Sequence, residues 1–326
     1  VPTKSLLIYV GGRLLQAVPI MFVIILINFA LIHAAPGDPV DILIGGADAT
    51  PEYIEGLRRE FGLDQPLWQQ FVTYISKIVQ FDLGYSLRYR EPVLSLILGR
   101  MPATLLLMGT ALFFSSLIGI LLGVFAARRP YSVGDYTATF VSLAGYSMPV
   151  FWLGQIMLVI FALHLAWFPT QGMYSLRAPS QGFGRILDVA HHLVLPAITY
   201  SFYHLALIYR LTRIKMQEVL ALDFITTARA KGVAEGRVVY RHALRNAILP
   251  VVTVIGLNFG FMLAGSVLTE TVFAWPGMGR LLYEAVGARD YPVLMGLFTV
   301  LSVMVICANV ITDVVYALVD PRVVYR

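Results

Sequence analysis

At 326 residues the chain is long enough for a large soluble core, yet 58% of it is hydrophobic and only 13% is charged. Soluble globular chains are about a quarter charged, so that class is excluded. The formal net charge of +5 then reads as a membrane protein's charge rather than a nucleic-acid binder's.

Six runs contain no Asp, Glu, Lys or Arg: 14–32, 101–127, 136–163, 193–209, 246–269 and 291–312. About 17–25 predominantly apolar residues cross the hydrocarbon layer as a helix. The expected fold class is therefore an all-α integral membrane protein with six transmembrane helices. Residues 1–35 give a cytoplasmic N-terminus and the first span. Its apolar stretch exceeds the roughly 7–15 residues of a signal-peptide core, so it is expected to stay in the membrane.

Residues 36–100 form an extracytoplasmic helical segment. Thr50, Pro51 and Glu52 offer an N-cap, a proline at the first helical position and an acid in the first turn. Gly62 is expected to close that helix. Trp68, Phe71, Val72, Ile75, Ile78 and Val79 follow at helical spacing. They predict an amphipathic helix, lying with that face on the bundle or at the membrane surface. Residues 101–318 form a five-helix core with a cytoplasmic loop at 210–247, and 319–326 a cytoplasmic tail. The lone cysteine, Cys307, falls in the last span, allows no internal disulfide and is expected to be buried and inert.

Basic residues set the orientation. With the N-terminus inside, Lys4, Arg13, Arg128, Arg129, Arg210, Arg213, Lys215, Arg229, Lys231, Arg237, Arg241, Arg245, Arg322 and Arg326 fall on cytoplasmic segments. The two shorter outer loops carry only Arg177, Arg185, Arg280 and Arg289. That bias places both termini inside.

Several chemistries are excluded. None of Lys4, Lys77, Lys215 and Lys231 completes the G-K-[ST] of a phosphate loop. No H-E-x-x-H is present, and His191–His192 has no ligand-spaced companion. The alternative is an ion-coupled secondary transporter, which places ionisable groups at mid-membrane. Within the spans such groups reduce to His204 in the fourth and Asp313 near the inner end of the sixth, with Asn258 and Asn309 as further polar side chains.

One segment breaks the apolar pattern: TTARAKGVAEGRVVYRHALRNAILP at 226–250, with Arg229, Lys231, Arg237, Arg241 and Arg245 against Glu235. Each such cation at the bilayer centre costs roughly 2.5–3.5 kcal/mol, so the segment lies outside the membrane. Helix formers flank Gly232, predicting helix, turn, helix. Arg237, Arg241 and Arg245 recur every fourth residue and form one basic stripe. Charge alone fits either a stripe on lipid phosphates or a helix docked on a cytoplasmic protein.

The segment resembles the cytoplasmic loop of ABC importer permeases of the dipeptide/oligopeptide/nickel family, in its B-type subunit. TARAKG (227–232) and RHALRNAILP (241–250) carry the resemblance. So do PGDP (36–39), FGLDQPL (61–67), DLGYS (82–86), MPATLLL (101–107), WFPTQG (167–172), ETVFAWPGMGRLL (270–282), RDYPV (289–293) and DPR (320–322). The resemblance implies a type I importer permease fold. It implies partners as well: a sister permease, two ATPase subunits, an extracytoplasmic solute-binding protein and membrane lipid. ATP and Mg would be held in the ATPases, with no cofactor in this chain. Thr227, Ala228, Gly232, Glu235, Arg237, Arg241, His242 and Asn246 would meet the ATPase, while Asn258, Asn309 and His204 would line the pathway. The family's general loop motif places an acid at Thr226, alanine at Thr227 and isoleucine at His242, and its Leu–Pro arrives late here, at Leu249 and Pro250.

Overall fold

The structure, a computed structural model, describes residues 3–34, 50–60, 64–86, 88–175, 182–265 and 267–319. Gly62 and the PGDP and DPR stretches lie outside them.

Helix α1 covers Thr3–Ala34 and α2 covers Pro51–Glu60, starting at the proline that the sequence marks. Helix α3, Leu67–Val79, packs inward through only part of the face expected, with Phe71, Ile75 and Ile78 half-buried. Phe71 meets Phe22 and Phe29 edge-on at 5.9 and 5.2 Å, and the Tyr74 hydroxyl lies 3.4 Å from Thr299. Trp68, Val72 and Val79 remain exposed. The apolar arc of α3 is wider than the strip it lays on α1 and α13, so part of it faces outward.

A two-residue hairpin, β1 (Tyr85–Ser86) with β2 (Glu91–Pro92), leads into α4, Val93–Arg128. Helix α5 (Val133–Ser147) is followed by α6 (Val150–Met157), which continues as a π-helix over Leu158–His164. The run 136–163, expected as one span, is a pair of helices bent by 107°. Pro149 supplies no N–H and drives Met148 into the extended region (φ −82, ψ 135), which no helix can run through.

Helix α7 (Phe183–Leu220) contains the run 193–209. Helix α8 (Asp223–Ala230) and a turn follow. Then α9 (Glu235–Arg237), a π-helix over Val238–Ala243 and α10 (Leu244–Gly265) run on without a break. The expected span boundary at 246 therefore falls inside a continuous helix, because its basic groups all sit on the solvent side. The chain ends in α11 (Val267–Val272), α12 (Met278–Ala288) and α13 (Tyr291–Val319). Among the described residues four helices are long and apolar enough to cross a membrane, and the bent α5–α6 pair makes a fifth. The remaining apolar run lies within α7, between polar turns.

Helices α4 and α7 form the centre. Their backbones approach closely at Gly119 and Gly123, where a Cβ on Gly123 would stand 2.6 Å from Thr212 Cβ and 2.9 Å from the Tyr209 carbonyl. Small residues four apart let membrane helices touch in this way. Helix α10 packs on α7 and α13, and α1 on α13. Cys307 is exposed on α13, not buried as expected, on the same helix face as exposed Val303 and Ile311.

An apolar cluster closes each end of the bundle. At one end Val93, Leu96 and Ile97 meet Met278, Leu281, Ala285, Val293 and Leu297. Polar clamps surround it: Ser86 Oγ donates to Asp290 at 2.6 Å, and Glu284 accepts from the Tyr89 hydroxyl at 2.7 Å and Arg280 Nε at 2.8 Å. Burial alone would raise the Glu284 carboxyl, but the Tyr89 and Arg280 hydrogen bonds hold it below the usual range. Burial and the bond to Glu284 push Tyr89 up to about 12. A depressed carboxylate stabilises above its unfolded pKa of about 4.3 and loses that contribution as pH falls through its folded value. A raised phenol stabilises fully below about 10 and loses it as pH rises through the folded value. Tyr89→Phe should therefore move the acid loosening of α12 to higher pH and abolish its alkaline phase, followed by hydrogen exchange. An unchanged pH profile would exclude the clamp.

Candidate functional site

The basic segment folds against the opposite cluster. Val124 and Ala127 of α4, Met216 of α7, Ile225 of α8, and Val238, Val239, Ala243 and Ala247 beyond the turn are buried together. Ala228 and Val233 pack on them. Helix α8 is thus an elbow pinned by one buried side, with Ile225 and Ala228 one turn apart.

Gly232 ends α8. Its N–H donates to Arg229 O at 2.9 Å and the Val233 N–H to Ala228 O at 3.2 Å. Those two bonds are a Schellman cap with glycine in the left-handed position, here φ +77°. Across the turn Arg229 grips Glu235 with two bonds, Nη2 to Oε1 at 2.8 Å and Nε to Oε2 at 3.1 Å. A bidentate fork fixes angle as well as distance, although both side chains are about half exposed and the pair contributes little stability.

The structure gathers Ala228, Gly232 and Glu235 in this turn. Thr227 faces out, its hydroxyl tied back to Asp223 O at 3.0 Å. Arg237, Arg241 and Arg245 are all exposed, with the π-helix starting just after the first and containing the second. About 4.4 residues per turn in that stretch keep a four-residue spacing on one face. His242 is half-buried, and its carbonyl accepts from the exposed Asn246 amide at 2.8 Å. Reading for charge overlooked three exposed apolar side chains around the elbow: Leu222, Phe224 and Tyr240. Their signal was apolar residues standing outside any membrane-length run.

The three pathway candidates do not form one set. His204 on α7 is 4% exposed, flanked by Tyr200 and Tyr203 rings at 5.4 and 5.2 Å. Asn258 of α10 lies near it and donates its amide to Val254 O at 2.8 Å. Asn309 on α13 is exposed. Asp313 pairs with Arg13 of α1 at 3.1 Å. His191 and His192 bond the carbonyls of Trp167 and Asp188, each at 2.8 Å. Among the described residues no three His, Cys, Asp or Glu side chains gather to hold a metal ion.

At the other end of the bundle, motifs far apart in sequence converge. Glu270 is fully buried and accepts from Thr104 Oγ1 at 2.8 Å and the Arg280 N–H at 2.9 Å. Thr104 Oγ1 also accepts from the Met278 N–H at 2.8 Å, and Trp275 Nε1 donates to Ala103 O at 2.8 Å. The Gly172 N–H donates to Phe273 O at 2.9 Å. MPATLLL, WFPTQG and ETVFAWPGMGRLL thus build one scaffold.

The family described as binding-protein-dependent transport system inner membrane component matches residues 119–325. Its N-terminal counterpart, the membrane component N-terminal family, matches residues 6–108. The chain is 43% identical to the di/tripeptide transport system permease protein DppB of Pseudomonas aeruginosa, over 98% of this chain and 99% of that one. It is 41% identical to the oligopeptide transport system permease protein AppB of Bacillus subtilis, over 97% and 99%. In a solved structure of the inward-facing MetNI methionine ABC transporter, one chain aligns with a TM-score of 0.54 over 69% of this chain and 96% of its own. At 18% identity that likeness is one of fold.

Proposed function

From the premise that this chain belongs to the binding-protein-dependent transport system inner membrane components, we propose that it forms half of the pathway of an ATP-driven importer of di- or oligopeptides. The near full-length identity to peptide permeases carries this reading. The same relatives give the ion-coupled alternative no support, and Asp313, paired with Arg13, offers no relay to His204. A sister permease supplies the other half. Two ATPase subunits hold ATP and Mg, and one of them seats on α8. A solute-binding protein delivers peptide at the Glu270 end. The Gly232 end and both termini face the cytoplasm, following the basic bias. Of the pathway candidates, half-buried Asn258 on α10 and exposed Asn309 on α13 can face the pathway, and His204 is buried behind Asn258.

Reconstitution tests this. The chain alone should hydrolyse no ATP. With its sister permease and ATPases it should do so, faster when peptide-loaded binding protein is added. Impermeant thiol labelling of intact cells, in a Cys307→Ala background, should mark Tyr85→Cys but not Arg237→Cys. Tyr85 is the reporter because the neighbouring Ser86 is buried. Hydrolysis by the isolated chain, or the reverse labelling pattern, would refute the reading.

A further inference from the structure

Helix α5 starts against α7, at Tyr209 and Arg213, about two turns before α7 leads into α8. Its first turn is capped by Ser132, whose Oγ accepts from the Asp135 N–H at 3.2 Å. The Asp135 carboxylate, on a residue only 2% exposed, receives four donors. Oδ2 accepts from the Tyr131 N–H at 2.9 Å and Arg213 Nη2 at 2.6 Å. Oδ1 accepts from Arg213 Nε at 2.7 Å and the Tyr209 hydroxyl at 3.2 Å. These fill the roughly four lone-pair positions a carboxylate offers. The Tyr209 hydroxyl also meets Thr139 Oγ1 at 2.8 Å. Tyr209 and Arg213 belong to α7, on the turns that run directly into α8, whereas Asp135 and Thr139 belong to α5.

The surrounding contacts between α5 and α7 are apolar, among them Tyr209, Leu205 and Ala138. Apolar side chains can slide past one another; a planar guanidinium gripping a carboxylate by two bonds cannot turn or slip without losing both. Separating a buried pair also leaves each charge uncompensated. The pair therefore holds the first turn of α5 to the end of α7 in one orientation.

We propose that Asp135 and Arg213 are positioning residues for energy coupling. They make the start of the bent α5–α6 span move as one body with the α7–α8 elbow, so that displacement of α8 by an ATPase reaches a helix it does not touch. The proposal rests on the reading that an ATPase seats on α8, and the parental complex tests that reading first. If the parent neither binds ATPases nor imports, it is the docking that fails.

Given a coupled parent, Asp135→Asn and Arg213→Lys complexes, purified intact even at lower yield, should keep basal ATP hydrolysis. Peptide taken up per ATP should fall about tenfold in both, within the range of coupling between linked sites. A static brace would alter yield or thermal midpoint and leave that ratio alone, so a parental ratio in both variants overturns the proposal. A second measurement keeps the pair intact. Spin labels at Val133→Cys and Ala221→Cys, both exposed positions, in a Cys307→Ala chain report the distance between α5 and the elbow. It should hold within about 1–2 Å, the size of an ordinary helix shift, between nucleotide-free and ATP-trapped complexes. The distance from Ala221→Cys to Tyr85→Cys should change by more. A larger change between α5 and the elbow would overturn the proposal independently.

Discussion

Gly232→Val is expected to insert in the membrane normally, yet to lose its ATPases on purification and with them most peptide uptake. A Cβ at Gly232 meets nothing within 4 Å, so no clash is involved. The cost is in the backbone. At φ +77° a side chain crowds its own peptide, at about 1–2 kcal/mol, or a factor of about 5–30 in the population of the correct turn. A β-branched residue there is a stronger outlier than most. If the turn opens, the Schellman bonds to Ala228 and Arg229 go, and Glu235 swings off the Arg229 fork. The exposed face with Leu222, Phe224 and Thr227 then loses its angle to the bundle. Gly232→Asn is the control, because asparagine tolerates the left-handed region, and it should retain most of both activities. Arg241→Glu should fail by a different route, reversing charge on the exposed stripe while leaving the turn intact. Should Gly232→Val and Arg241→Glu keep their ATPases and import at the parental rate, the segment is only a topological anchor.

Much of this elbow was legible in the sequence, and the reason is local. Gly232 between two helix-forming stretches, and cations too costly for a membrane interior, are properties of neighbouring residues. The apolar runs are local too, which is why α1, α4 and α13 lie where the runs predict them. What escaped depends on partners distant in the chain. The outward turn of Trp68 follows from how narrow a strip α1 and α13 offer, not from the spacing within α3. Continuity from Glu235 to Gly265 was hidden because Arg237, Arg241 and Arg245 break the apolar run without breaking the helix. The bend before α6 had a signal, Pro149, whose effect on Met148 outweighs the apolar character around it. The contacts of Asp135 with Arg213, and of Glu270 with Thr104, join helices whose pairing no periodicity reveals. His204 and Asn258 were picked as isolated polar groups, and only the packing of α7 on α10 makes them a pair.

The largest expected effect lies at the Glu270 scaffold. Gly277→Ala should abolish recovery of folded protein, although it adds a single methyl group. That carbon would stand 2.4 Å from Glu270 Cδ and within 2.5 Å of both carboxylate oxygens. Real side chains do not approach so closely, and the carboxylate has nowhere to go. Thr104 and the Arg280 N–H hold it in place, and the residue is completely buried. Shifting it would leave the Thr104 hydroxyl and the Arg280 N–H without an acceptor, at about 1–3 kcal/mol each. The Met278 N–H, which reaches Thr104 Oγ1, would be disturbed in turn. The two lost bonds together come to about 2–6 kcal/mol, a large share of the about 5–15 kcal/mol that stabilises an ordinary domain. Gly287→Ala supplies the contrast. Its Cβ meets nothing within 4 Å on α12, and alanine is favoured over glycine in a helix by about 1 kcal/mol, so yield and thermal midpoint should hold or rise. Because the clash is with one named side chain, the two effects should not add: Glu270→Ala with Gly277→Ala should cost no more than Glu270→Ala alone. Parental yield and thermal midpoint in Gly277→Ala would show that the carboxylate is free to move, and that the convergence of these motifs is not what holds α11 and α12 on α4.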